Sequence, residues 1–105
     1  MKKLDLKDYI RGWVVGDFEP TLIKKDFEVG VKRYKAGESE ERHYHLTCVE
    51  YTIIVSGRVL MNGVEYTTDD IVEIRQGEDT DFQCLDDAIT VVIKTSSIKG
   101  DKYKK

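Results

Sequence analysis

The sequence is poor in several things, and each scarcity excludes a class of protein. It holds two cysteines, two histidines, one proline and one tryptophan in 105 residues. Cys48 and Cys84 are too few for the disulfide framework of a small secreted domain, so both thiols are expected free and buried, as in a reducing cytoplasm. No stretch approaches the roughly 20 apolar residues of a membrane span. Leu4-Asp5-Leu6-Lys7-Asp8, after the opening Met1-Lys2-Lys3, is not the apolar core of a signal peptide. Basic charge is not in excess: 17 Lys and Arg against 20 Asp and Glu leave a net charge of −3. That balance disfavours nucleic acid, whose phosphates call for clustered Lys and Arg. Lys99, Lys102, Lys104 and Lys105 gather at the closing end, where solvated, frayed residues are expected. The expectation is a cytoplasmic protein with neither a membrane nor a nucleic-acid partner.

Helical periodicity is also scarce. Its best window, Lys3 to Arg11 with Leu4, Leu6 and Ile10, is weak. Strand patterns are abundant. Phe27 to Tyr34 alternates apolar and polar until its last two residues, Tyr51 to Val55 is a β-branched run, and residues 71–74 and 88–94 read as further strands. Arg58 to Met61, Asn62-Gly63, and Val64 to Thr67 read as a hairpin, because a two-residue type I′ turn needs φ > 0 at both central positions. Short strands with regular turn signals predict an all-β sandwich or barrel. The length predicts one domain over residues 1–105, with its core at about 27–95 and partly frayed termini.

The two histidines stand two apart, His43-Tyr44-His45. On a strand this spacing puts both rings on one face, with Cα atoms about 6.6 Å apart. Two neutral imidazoles so placed suit a transition metal, although paired surface histidines would read the same way. Glu50 is the nearest carboxylate after the pair. Five residues from His45 on one strand, it would face the opposite side, so a turn or a change of strand must intervene. Glu38-Ser39-Glu40-Glu41-Arg42 reads as a solvated loop, and Glu78-Asp79-Thr80-Asp81 as a solvated acidic turn. Trp13, Tyr34, Tyr51, Tyr66 and Phe82 could stack on a ligand, but most are expected in a core or a dimer face.

Residues 37–57 resemble the first signature of the cupin superfamily, in which a glycine, His-x-His, a glutamate and a second glycine recur at set spacings. Gly37, His43, His45, Glu50 and Gly57 fill each fixed position. The second signature matches only at Gly77. Asp69, Arg75, Thr80 and Cys84 stand where that signature has glycine, proline, histidine and asparagine. The resemblance implies a jelly-roll β-barrel of two antiparallel sheets, often a homodimer, with Gly12-Trp13-Val14-Val15 as a plausible edge strand. It also implies a divalent transition metal (iron, manganese, nickel, copper or zinc) in the barrel mouth. His43, His45 and Glu50 would be its ligands, and Thr80 would hold the fourth position. Phe82, two residues on, would line the pocket. The implied function is oxygenase- or isomerase-type chemistry on a small polar metabolite, with no catalytic base assigned. The alternative is non-catalytic binding of a sugar or other small molecule, with or without metal.

Overall fold

The Asn62-Gly63 turn is the centre about which the chain winds. The structure, a computed structural model, describes residues 1–104. Among these it has ten strands: β1 Trp13–Val15, β2 Glu28–Tyr34, β3 Ser39–Tyr44, β4 Glu50–Ser56, β5 Arg58–Met61, β6 Val64–Thr67, β7 Ile71–Ile74, β8 Thr80–Cys84, β9 Ala88–Lys94 and β10 Tyr103–Lys104. Asn62 has φ 51° and Gly63 φ 77°, the two positive values that the type I′ reading requires. Outward from this turn the pairing is nested: β5 with β6, β4 with β7, β3 with β8, β2 with β9, all antiparallel. The result is one long hairpin rolled on itself, the jelly roll expected from the sequence. Its two five-stranded sheets run β1-β2-β9-β4-β7 and β10-β3-β8-β5-β6.

Apolar side chains fill one end of the barrel only. Ile54, Val59, Met61, Ile74, Phe82, Cys84 and Ala88 form the buried cluster there. Along the inward faces of β4 and β8 the chemistry then changes from apolar to polar, and β9 ends in a charge. On β4 it runs Ile54, Thr52, Glu50, and on β8 Cys84, Phe82, Thr80. On β9 it runs Ala88, Thr90, Val92, Lys94. The polar end opens into a cavity of about 800 Å³, within the size range of small-molecule sites.

In keeping with its weak periodicity, the window Lys3 to Arg11 forms no α-helix, only 3₁₀ turns at Leu6–Asp8 and Ile10–Gly12, while two expectations are corrected below. Leu4 and Ile10 stay exposed, so no apolar face repays ordering a helix. The charged run 38–42 is not a loop but largely β3. Its charges are matched on both faces: the Tyr34 hydroxyl donates to Glu40, while Arg42 donates to Asp79 at 2.7 Å and Asp81 at 3.3 Å. Residues 98–104 do not simply fray. Asp101 is buried, and β10 pairs with β3 through Tyr103↔Tyr44 and Lys104↔His43. No helix among the described residues is long and apolar enough to cross a membrane.

Gly57 turns the chain from β4 into β5 at φ 92°, and a Cβ there would lie 2.3 Å from the Asp87 carbonyl oxygen. Gly63 has a similar φ with no atom within 4 Å of its Cβ position. Gly57→Ala is expected to cost about 3 kcal/mol or more, backbone strain plus overpacking. Gly63→Ala should cost about 1–2 kcal/mol from strain alone. Urea titration of both variants measures the gap, and equal losses would contradict this packing.

Candidate functional site

The crossing from β3 to β4 resolves the parity problem set by the sequence. β3 ends at Tyr44 in one sheet and β4 begins at Glu50 in the other. His45 opens the connecting turn, so it meets Glu50 across the barrel end rather than along a strand. Its Nε2 lies 3.4 Å from Glu50 Oε1, and both side chains are largely buried.

The tautomers follow from the hydrogen bonds. His45 Nδ1 donates to the Asp101 carbonyl, and His43 Nδ1 donates to the Glu41 carbonyl at 2.9 Å. In each neutral ring the lone pair therefore sits on Nε2. The two rings are edge to face, 5.3 Å between centroids. His45 Nε2 is buried and has no hydrogen-bond partner among the described residues; Glu50 at 3.4 Å is too long for a good one.

Glu50 is held ionised by its neighbours. Burial pushes its carboxyl up, but a hydrogen bond and positive charge from a His45 ring protonated at Nε2, with the Thr52 hydroxyl donating at 3.2 Å, bring it below the usual carboxylate range. Without a proton on Nε2, a lone pair would face a carboxylate oxygen inside the protein. A cation between them removes the conflict. Two donors each about 2.1 Å from a tetrahedral ion stand roughly 3.4 Å apart, and this pair already does. His45 and Glu50 therefore fit a metal ion.

Thr80 is buried and lies opposite His43 in the β3–β8 register. Its hydroxyl donates to the Asp81 carbonyl at 2.7 Å. Phe82, the next inward residue, rests on Tyr34 with centroids 4.9 Å apart. All five residues expected at the site line the one cavity. His43 is the outlier in distance: among the described residues, the only set of three His, Cys, Asp or Glu ligand atoms within 4.8 Å of one another is His45, Cys48 and Asp101. That second set is already committed. The Asp101 carboxylate accepts from the Leu46 amide at 2.9 Å, the Thr47 amide at 3.2 Å and the Thr47 hydroxyl at 2.6 Å. Burial pushes the Cys48 thiol up to about 11.

No family model and no curated protein sequence matches the chain. Solved structures do. The DMSP lyase DddQ from Ruegeria pomeroyi DSS-3 superposes with a TM-score of 0.73 over 89% of this chain, at 17% identity. An uncharacterised double-stranded β-helix protein from Klebsiella pneumoniae gives 0.69 over 94%, also at 17% identity. A sugar phosphate isomerase of the cupin superfamily from Silicibacter pomeroyi gives 0.59 over 69%, at 21% identity. The chain has the cupin fold. It spans 49% of the DddQ chain and 52% of the isomerase chain, against 88% of the Klebsiella protein.

In this cupin-fold chain the candidate site also includes residues that sequence reasoning did not single out. Glu28, Lys32 and Lys94 face the cavity from β2 and β9. Their signal was available, because each is a charge at an inward position of its strand. Lys94 lies between Glu28 and Glu50 in register, and its ammonium is 3.4 Å from Glu28. Asp101 gave no such signal, lying 56 residues from the histidine it holds.

Burial pushes the Asp101 carboxyl up, but its bonds from Thr47 and Leu46 outweigh this and leave it below 3.8. Asp101→Ala should therefore cost about 1–3 kcal/mol. A carboxyl depressed in the folded state contributes fully above its unfolded value and loses that contribution as pH falls through the folded one. The wild-type advantage should hold from about pH 7 to 5 and shrink below about 4. Denaturation at a series of pH values measures it; an advantage that grows on acidification would contradict the capping role.

Proposed function

We propose that this cupin binds one divalent transition metal through His43, His45 and Glu50 and acts on a small polar metabolite held in the cavity. The observation that carries the reading is the buried His45 Nε2, without a hydrogen-bond partner among the described residues, 3.4 Å from a Glu50 oxygen. His45 and Glu50 would supply the near pair, and His43, its ring edge to face with His45, would have to draw in from the cavity wall to complete it. When bound, a divalent ion supplies Lewis acidity toward a ligand oxygen. The chain supplies the rest. The Asp101 and Glu41 carbonyls take Nδ1 of both imidazoles and leave Nε2 as the nitrogen that would hold the ion, as outer partners of metal ligands do. Thr52 orients Glu50. Phe82 and Met61 give the cavity an apolar floor that limits water. The names of two neighbours, a lyase and an isomerase, are consistent with reaction at such a site. Iron, manganese, nickel, copper and zinc all suit the donor set.

A second reading, a binding module without turnover, is favoured by Thr80. Its hydroxyl is engaged with the backbone where the second cupin signature has a histidine, so no fourth protein ligand is offered from that strand.

Protein reconstituted separately with each of the five metals and freed of excess should carry about one ion per chain with at least one of them. His45→Ala and Glu50→Ala should each hold less than about a tenth of that, since a lost ligand costs more than an outer partner's 10–100-fold. Wild-type content in either variant would contradict the assignment.

A further inference from the structure

We propose that Lys32 and Trp13 form a seat for the charged group of a small organic oxyanion, a carboxylate or phosphate ester, bound in the cupin cavity. The inference deepens the ligand reading above and rests on this cavity being the ligand site, but it does not need the ion.

The inward carboxylates are each partnered. Glu28 takes Lys94 at 3.4 Å and the Ser97 hydroxyl at 2.7 Å. Glu40 takes the Tyr34 hydroxyl at 3.2 Å and Lys102 at 3.7 Å. Glu50 takes Thr52 and faces His45. Lys32 differs. Its ammonium donates to the neutral Arg11 carbonyl at 2.7 Å, and no described carboxylate lies within 4.0 Å of it. A half-buried cation that Glu40 and Glu50 attract only from beyond contact lacks a close counter-charge and carries a desolvation cost that an apolar residue at the same position would not. An oxyanion in the cavity would supply that counter-charge.

The surface beside it is built for an organic ligand. Trp13 lies flat on the bare backbone of Gly30, where a Cβ would sit 2.7 Å from the indole. Lys32 and Lys94 stand over the same ring at 5.2 and 5.5 Å. Both bracket the indole by cation–π contact, which keeps two positive charges beside one flat wall. Lys94 is neutralised by Glu28, so Lys32 is left to read the ligand's charge.

Trp13 is the only tryptophan, so its fluorescence reports on this seat alone. Succinate and glycerol 3-phosphate would be titrated into metal-loaded and metal-free protein, with neutral succinamide as control. At least one oxyanion should give a saturable change that succinamide does not, and which one responds identifies the carboxylate or phosphate class. Lys32→Gln should weaken binding about tenfold or more, and Lys32→Arg should retain most of it, as expected for a charge-assisted contact. If Lys32→Gln does not fold, Lys32→Met keeps the aliphatic stem over the indole and takes its place. Equal affinity in the folded Gln or Met variant would overturn the proposal, as would silence from both oxyanions in protein that loads metal normally. A response in protein that takes up no metal would uphold this seat while refuting the metal reading.

Discussion

The turn at residues 45–49 carries the chain from one sheet of the barrel to the other, and the site depends on how that turn is held. His45 stands at its start with two ring nitrogens pointing to different masters. Nδ1 is taken by the Asp101 carbonyl, and Nε2 is left facing Glu50. The Asp101 carboxylate meanwhile ties down the Leu46 and Thr47 amides. One buried residue from the C-terminal end therefore fixes the path of the turn and the tautomer of its histidine. Without it, the turn amides would need other partners, and the imidazole could donate from either nitrogen.

The barrel divides its interior between stability and chemistry. One end is apolar and packed around Ile54, Val59 and Phe82. The other holds the register row Glu28, Lys94, Glu50, with His45 across from it. Burying such charges contributes little net stability, because desolvation offsets most of the attraction. Their value is positional: each group is held by a neighbour on an adjacent strand. Among the described residues, Lys32 has no carboxylate in contact and His45 Nε2 has no hydrogen-bond partner, and both residues line the cavity.

Much of this fold could be read from local pattern. The Asn62-Gly63 turn, the β-branched strands and the alternation of β2 and β9 each follow from short-range rules. The expected ligand set was legible as a motif, yet spacing alone placed Glu50 on the wrong face of His45. The change of sheet that reconciles them is a tertiary event. The first four residues of β3, 39–42, were missed because their charges read as solvent-facing, when Glu40 and Arg42 find partners on neighbouring elements. Asp101 was illegible for a related reason: its role depends on residues 98–104 folding back, and that segment has no apolar alternation to announce it. The 3₁₀ turns near the N-terminus fit the weak apolar spacing there, which no tertiary surface rewards.

The central claim is that His45 offers Nε2 to an ion shared with Glu50, while Nδ1 stays on Asp101. Anomalous diffraction from crystals of the protein grown with the metal it takes up tests this most directly. The account predicts one peak within about 2.0–2.2 Å of both His45 Nε2 and a Glu50 oxygen, with Asp101 still capping the turn. A peak about 2.3 Å from the Cys48 sulfur, with His45 turned and the Asp101 carboxylate released from Leu46 and Thr47, would contradict it.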